Sequence, residues 1–188
     1  MTLTLYDIGV PGVVQSLRAV SRILDRTARH CAETGTDPDP LALARLVPDM
    51  APLHFQIEAL KNHAVFGLET IRTGVFAPPP LIGAMPFSAL QAIPRAALAT
   101  IEALPPEAIN RHAQRARTIE IFLPLDPDDA ARSAWGPRSV AFTSESFLLT
   151  YTLPNVAFHA MTAYHILRTQ GMPIGKGDFL GPLGAGPA

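Results

Sequence analysis

The chain has 188 residues, of which 48% are hydrophobic and 16% charged, and its formal net charge is −1. This length favours one domain with a full core, and the low charge excludes an intrinsically disordered chain. No basic surface for nucleic acid is expected. The single cysteine, Cys31, excludes an internal disulfide, so we expect a buried thiol in a cytoplasmic protein. We predict one domain over residues 1–181 and a flexible tail over 182–188.

Two long helices are predicted in the first 74 residues. The first runs from about residue 9 to 33 and the second from about 48 to 72, each with apolar residues at helical spacing. Gly35 and Gly74 follow them and are typical stop signals.

The second helix carries polar side chains on two sides of its apolar seam. Gln56 and His63 flank the seam, so they are expected to face a neighbouring helix. His54, Glu58 and Lys61 are expected on the outer side.

The middle of the chain predicts a stiff connection, a third helix and a β-hairpin. Residues 74–86 contain three consecutive prolines and are expected to be extended. The third helix covers 87–104, with a kink at Pro94. Residues 117–124 and 139–143 have strand character and predict a small hairpin before the last helix.

The fourth helix, 144–170, is the segment around which we expect the others to pack. It has no charge between Glu145 and Arg168 and is apolar on every side. Its asparagine, histidines, tyrosines and threonines are costly in lipid, so a core helix is favoured over a membrane span. Pro154 lies inside it and predicts a bulge near Thr150.

A polar row within the fourth helix is the main candidate for a site. Its residues recur at i, i+4 and i+3 spacing, hence on one face. The candidate pocket between helices 2 and 4 consists of Gln56, His63, Tyr151, Asn155, His159 and Thr162. A buried polar network satisfied internally is the alternative interpretation of the same residues.

Three stretches resemble a bacterial family of unknown function within the DinB/YfiT-like superfamily. They are LYDIGVP near the start, VPDMAPL from residue 47, and LPNVAFHAMTAYHILRTQGMPIGKGDFLG near the end. The resemblance spans nearly the whole chain. It implies an all-α, up-down-down-up four-helix bundle with a long second crossover, commonly a homodimer. The wider superfamily includes metal-dependent enzymes that act on small thiols.

The superfamily's metal site implies one histidine on the second helix and a His-x3-His pair on the fourth. Such a pair shares one helix face and can hold Zn²⁺ or Ni²⁺ with the third imidazole. Here Ala163 lies four residues after His159, and Asn155 lies four before it. An amide is a poor ligand for these metals, so no metal is expected; His159, Asn155 and His54 are the residues available for one.

Two functional hypotheses follow from these residues. The first is a non-catalytic homodimer that binds a small molecule in the pocket and requires no cofactor. The alternative is a metal-dependent thiol-transferase-type enzyme with a degenerate zinc or nickel site. The sequence leaves open whether the protein is an enzyme, and it predicts neither a nucleic-acid nor a membrane partner.

Overall fold

The computed structural model describes residues 2–125, 128 and 134–182, and it is mostly helical with one small antiparallel sheet. The predicted tail, 182–188, lies outside the described residues except for Pro182. The α-helices are α1 Leu5–Thr34, α2 Leu53–Thr73, α3 Phe87–Glu102, α4 Pro106–Asn110, α5 Ser144–Phe147, α6 Leu153–Thr169 and α7 Lys176–Leu180. The strands are β1 Ala116–Pro124 and β2 Trp135–Thr143, and a short 3-10 helix covers Asp39–Leu43.

Helix α1 begins four residues earlier than predicted because Thr4 caps it. The Thr4 hydroxyl accepts the Asp7 amide at 3.2 Å, and the Asp7 carboxylate accepts the Thr4 amide at 3.0 Å. This reciprocal pair satisfies two N–H groups that lack helical partners. Gly35 ends the helix as predicted, in the left-handed conformation with φ 69°.

The long helices pack around one hydrophobic core. Both α1 and α2 contact α3 and α6, whereas α1 and α2 contact each other very little. The apolar stripes of the sequence lie in this core, and Cys31 is buried as expected. Helix α2 begins at Leu53, later than the predicted residue 48. In the described part of the chain, no helix combines the length and apolarity needed to cross a membrane.

The proline-rich connection, residues 74–86, is fixed to α2 by a buried carboxylate. Glu58 was predicted on the outer side, and this is wrong: it is 2% exposed. Its carboxylate accepts the backbone amides of Ile82 and Gly83. Asn62 adds a bond from its side-chain amide to the Pro79 carbonyl at 3.2 Å. Paired hydrogen bonds of this kind compensate the burial of a charge.

The predicted hairpin is present and longer than expected. Strands β1 and β2 pair from Ala116↔Thr143 to Pro124↔Trp135. Ile119 and Ile121 point into the core, which supplies the packing that a two-stranded ribbon needs. Trp135 lies at the start of β2, and 61% of it is exposed.

The last long helical segment contains the predicted bulge. A π-helical turn, Leu148–Thr152, joins α5 to α6 immediately before Pro154. Proline lacks the N–H of a regular helix, and a π-turn accommodates the change in register. Thr152 is fully buried there and lies directly against Gly67 of α2.

The contact between α2 and α6 leaves no room for a side chain at position 67. A Cβ on Gly67 would lie 2.6 Å from Thr152 Cγ2, whereas one on Gly12 of α1 would meet nothing nearer than Leu153 at 3.9 Å. We therefore expect Gly67→Ala to lower the free energy of unfolding by about 1–3 kcal/mol through overpacking. Urea unfolding measures this change.

Gly12→Ala is the matched control, because it makes the same chemical change in an open helical position. It should leave the free energy of unfolding unchanged or raise it by about 0.5–1 kcal/mol. Equal effects of the two substitutions would contradict the close approach of α2 and α6.

Candidate functional site

The centre of the candidate site is a hydrogen bond between α2 and α6. His159 Nδ1 lies 2.8 Å from Gln56 Oε1, and both side chains are buried. The Gln56 amide nitrogen donates to the Ala51 carbonyl at 3.0 Å, which fixes the orientation of the amide. Gln56 Oε1 must then accept, so Nδ1 of the neutral imidazole carries the hydrogen. The Nε2 atom is left with its lone pair.

His63 extends this pair into a column of stacked rings. Its ring lies parallel to that of His159, with centroids 5.4 Å apart and an interplanar angle of 14°. Phe76, from the proline-rich connection, stacks on the other face of His63 at 5.5 Å and 19°. Tyr151 meets the edge of His63 at 5.5 Å and 68°. Four of the six predicted pocket residues therefore lie together.

Burial keeps the ionisable groups of this cluster neutral at pH 7. It lowers the pKa of His63 to about 4. Burial, with a smaller contribution from the nearby His63, also lowers the pKa of His159 to about 4. Burial raises the pKa of Tyr151 to about 12. In each case the charged form loses its hydration, and no opposite charge replaces it.

The other two predicted pocket residues serve the backbone of their own helix. The Asn155 amide donates to the Tyr151 carbonyl at 2.8 Å, beside the π-turn. The Thr162 hydroxyl donates to the Phe158 carbonyl at 2.7 Å. Side chains of these types often make such local bonds. For Asn155 and Thr162, the geometry favours the internal-network interpretation over the lining of a pocket.

The residues available for a metal do not form a matching donor set. His54 Nδ1 lies 3.4 Å from the Glu58 carboxylate, which already holds the proline-rich connection. The nitrogen of the Asn155 amide is turned to a carbonyl, and an amide is a weak ligand. Within residues 2–125, 128 and 134–182, no three His, Cys, Asp or Glu side chains are grouped to hold an ion. The zinc or nickel site that the resemblance implies does not fit this arrangement.

Two phenylalanines that the sequence did not single out lie beside His159. Phe55 lies 6.1 Å from its ring centroid, and Phe158 lies 5.3 Å away in an edge-to-face contact. Phe158 is 56% exposed, so a partly exposed ring adjoins the buried imidazole. Each phenylalanine is adjacent in sequence to a predicted site residue, so the helical periodicity did not place it on the same face. Two surface cavities lie elsewhere, against α4 and near the end of α1.

The His159 ring offers one hydrogen-bond acceptor, Nε2, in mostly aromatic surroundings. A histidine with a pKa near 4 is a weak base at pH 7, because an efficient general base has a pKa close to the operating pH. In the described part of the chain, no carboxylate hydrogen-bonds to either stacked imidazole to strengthen it.

Protonation of His63 and His159 should destabilise the fold as the pH falls from about 6.5 to about 4. Across this window the unfolded chain binds protons that the folded chain excludes, so the free energy of unfolding decreases. The full stability is present above pH 6.5. The limiting loss is ~3 kcal/mol per histidine. Urea unfolding at several pH values measures this slope.

His63→Phe should flatten this pH dependence. The Nδ1 atom of His63 is buried without a hydrogen-bond partner, so a phenyl ring keeps the stack and removes an unsatisfied group. His165→Gln, which removes an exposed histidine from α6, is the control and should leave the slope unchanged. An unaltered slope in His63→Phe would show that His63 titrates normally.

Comparison with known proteins agrees with this fold. A family model described as a domain of unknown function, DUF1993, matches residues 5–180. A solved structure of a DinB family member protein from Shewanella denitrificans has a TM-score of 0.73 and 23% identity. The similarity covers 95% of this chain and 93% of that one. No curated protein matches the chain. The match over residues 5–180 confirms the resemblance found in the sequence, and the chain belongs to the DUF1993 family of unknown function.

Proposed function

We propose that this protein is a non-catalytic homodimer that binds a small, flat, mostly apolar molecule between α2 and α6. In this proposal the long helices keep the up-down-down-up order of a four-helix bundle, with α6 as the fourth helix. The ligand donates one hydrogen bond to His159 Nε2 and packs against the rings around it. The protein acts as a binding module, with no metal or organic cofactor.

The Gln56–His159 hydrogen bond is the observation that carries this proposal. It directs the hydrogen of the imidazole toward Gln56 and leaves a single acceptor atom, Nε2. An acceptor in apolar surroundings selects a ligand with an N–H or O–H donor, because a ligand without one leaves a polar atom unpaired. The aromatic neighbours favour a flat ring.

Access to His159 requires only a side-chain movement. Phe158 contacts the imidazole edge to face and is 56% exposed, so it can rotate outward without disturbing the core. Such a movement would open the cluster to solvent on one side. Phe158 is then the gate of the proposed site.

Indole is a suitable probe, because it has one N–H donor on a flat apolar ring. Calorimetric titration should show saturable binding of one indole per chain. His159→Phe should weaken this binding about tenfold by removing the acceptor. Phe158→Ala should accelerate association in stopped-flow fluorescence, since it removes the gate.

Thr162→Val is the matched control, because Thr162 lies three residues from His159 and its hydroxyl bonds only to the Phe158 carbonyl. It should leave indole affinity unchanged. No saturable binding to wild type or Phe158→Ala would contradict the proposed site. Metal analysis tests the alternative: one zinc or nickel per chain that is lost in His159→Ala would favour the enzyme.

The exposed face of α6 supports the homodimer. Beside the gate residue Phe158, the exposed positions Pro154, Ala157, Met161 and His165 carry no formal charge with histidine neutral. Ala157 and Met161 lie four residues apart on the same face. An apolar, charge-free helix face of this kind is typical of a surface buried between subunits.

Met161→Glu should dissociate the dimer, because it places a charge at the centre of this face. Sedimentation velocity should show a shift from twice the chain mass to the chain mass. Ala92→Glu, which adds the same charge to an exposed position of α3, should leave the dimer intact. A wild-type protein that sediments as a monomer at micromolar concentration would contradict the proposal.

A further inference from the structure

Four arginines surround one buried histidine at a place remote in sequence from the His159 cluster. Arg72 comes from the last turn of α2, Arg111 and Arg115 flank the turn after α4, and Arg117 is the second residue of β1. Burial and the positive charges of Arg115, Arg111, Arg117 and Arg72 all lower the pKa of His112. The fold therefore concentrates like charges around an imidazole, against their mutual repulsion.

The tautomer of His112 places a hydrogen where the described part of the chain offers no acceptor. Arg111 Nε donates to His112 Nε2 at 3.2 Å, so the neutral ring carries its hydrogen on Nδ1. His112 is only 8% exposed, and its Nδ1 is buried without a hydrogen-bond partner. A buried donor of this kind is rare in proteins and needs an explanation.

Two of the arginines also have a buried N–H group without a hydrogen-bond partner in the described part of the chain. These groups are the Nε–H of Arg72 and the Nε–H of Arg117. The acidic residue that pairs with the group is Glu69, which bonds to Arg72 Nη1 at 2.7 Å and is itself 41% exposed. Among residues 2–125, 128 and 134–182, three buried N–H donors from three segments thus have no acceptor.

The backbone holds these segments in place. The Ser144 hydroxyl donates to the His112 carbonyl at 2.7 Å, and the Ser144 amide donates to the Arg115 carbonyl at 3.0 Å. These bonds tie the turn after α4 to the start of α5. The positions of His112 and Arg117 are therefore set by the fold rather than by mobile loops, as a pre-organised site requires.

We propose that His112, Arg72 and Arg117, with Arg111 and Arg115 around them, bind a tetrahedral oxyanion, namely inorganic phosphate or the phosphate group of a small molecule. Such an ion supplies negative charge to the arginines and several oxygen acceptors to the three unpaired donors. A carboxylate carries less charge and has its oxygens in one plane, whereas a phosphate presents oxygens in several directions to donors from three segments. This site goes beyond the proposed function and does not depend on it.

Calorimetric titration with sodium phosphate at pH 7.5 and constant ionic strength tests the site. We expect saturable binding of one phosphate per chain and weaker binding of acetate. Arg72→Gln and Arg117→Gln should each weaken phosphate binding at least tenfold. Arg95→Gln, which removes the same charge from the exposed face of α3, should not change it. Non-saturable binding, or equal losses in all three variants, would overturn the proposal.

Nuclear magnetic resonance of the wild-type protein gives a readout that needs no variant. Bound phosphate should raise the pKa of His112, because an anion within contact favours the imidazolium. It should also shift the Nε–H signals of Arg72 and Arg117. Saturable phosphate binding that moves none of these resonances would place the anion elsewhere and overturn the assignment.

The same titration with phenyl phosphate distinguishes the two sources of the anion. Affinity for phenyl phosphate above that for inorganic phosphate assigns the site to a phosphorylated small molecule. Equal or lower affinity assigns it to the free ion. With either result, Arg117→Gln should weaken the binding of both probes, because both depend on the three proposed donors.

Discussion

The close approach of α2 and α6 at Gly67 and Thr152 is the constraint on which the site depends. The absence of a side chain at Gly67 allows the buried Thr152 to lie directly against the backbone of α2. At this separation Gln56 and His159 lie within hydrogen-bond distance, and the rings of His63 and His159 stack. The missing side chain of one glycine therefore determines how α2 and α6 align over several turns.

The orientation of the Gln56 amide determines which hydrogen-bonding group His159 presents. Because the Gln56 nitrogen is held by the Ala51 carbonyl, its oxygen faces His159 and selects one tautomer of the imidazole. Burial then keeps that imidazole neutral. The same two atoms that stabilise the contact between the helices therefore determine which hydrogen-bonding group a visiting molecule would meet.

Much of the fold follows from the sequence, because periodic apolar residues and stop signals are local features. The stripe of α1, the glycines at 35 and 74, the hairpin and the bulge before Pro154 all behave as predicted. The start of α1 did not, since its capping pair of Thr4 and Asp7 lies outside the apolar stripe.

The site was less predictable, because its members come from segments far apart in the chain. The spacing of Tyr151 and His159 placed them on one helix, and the seam of α2 suggested Gln56 and His63. Nothing local indicated that Phe76 of the proline-rich connection would stack on His63, or that Glu58 would be buried. Arg111, Arg115 and Arg117 are close to His112 in the sequence, but only the fold brings Arg72 of α2 near them.

The anchoring of the proline-rich connection has a consequence for how this chain can vary in length. Segments without regular structure usually accommodate insertions and deletions with little loss of stability. This one is fastened at Pro79 by Asn62 and at Ile82 and Gly83 by Glu58, while Gly74 fixes its beginning at the end of α2. A residue added or removed between Gly74 and Gly83 would move the Ile82 and Gly83 amides away from Glu58 and leave its buried carboxylate without these donors. This span should therefore tolerate changes in length as poorly as a helix does.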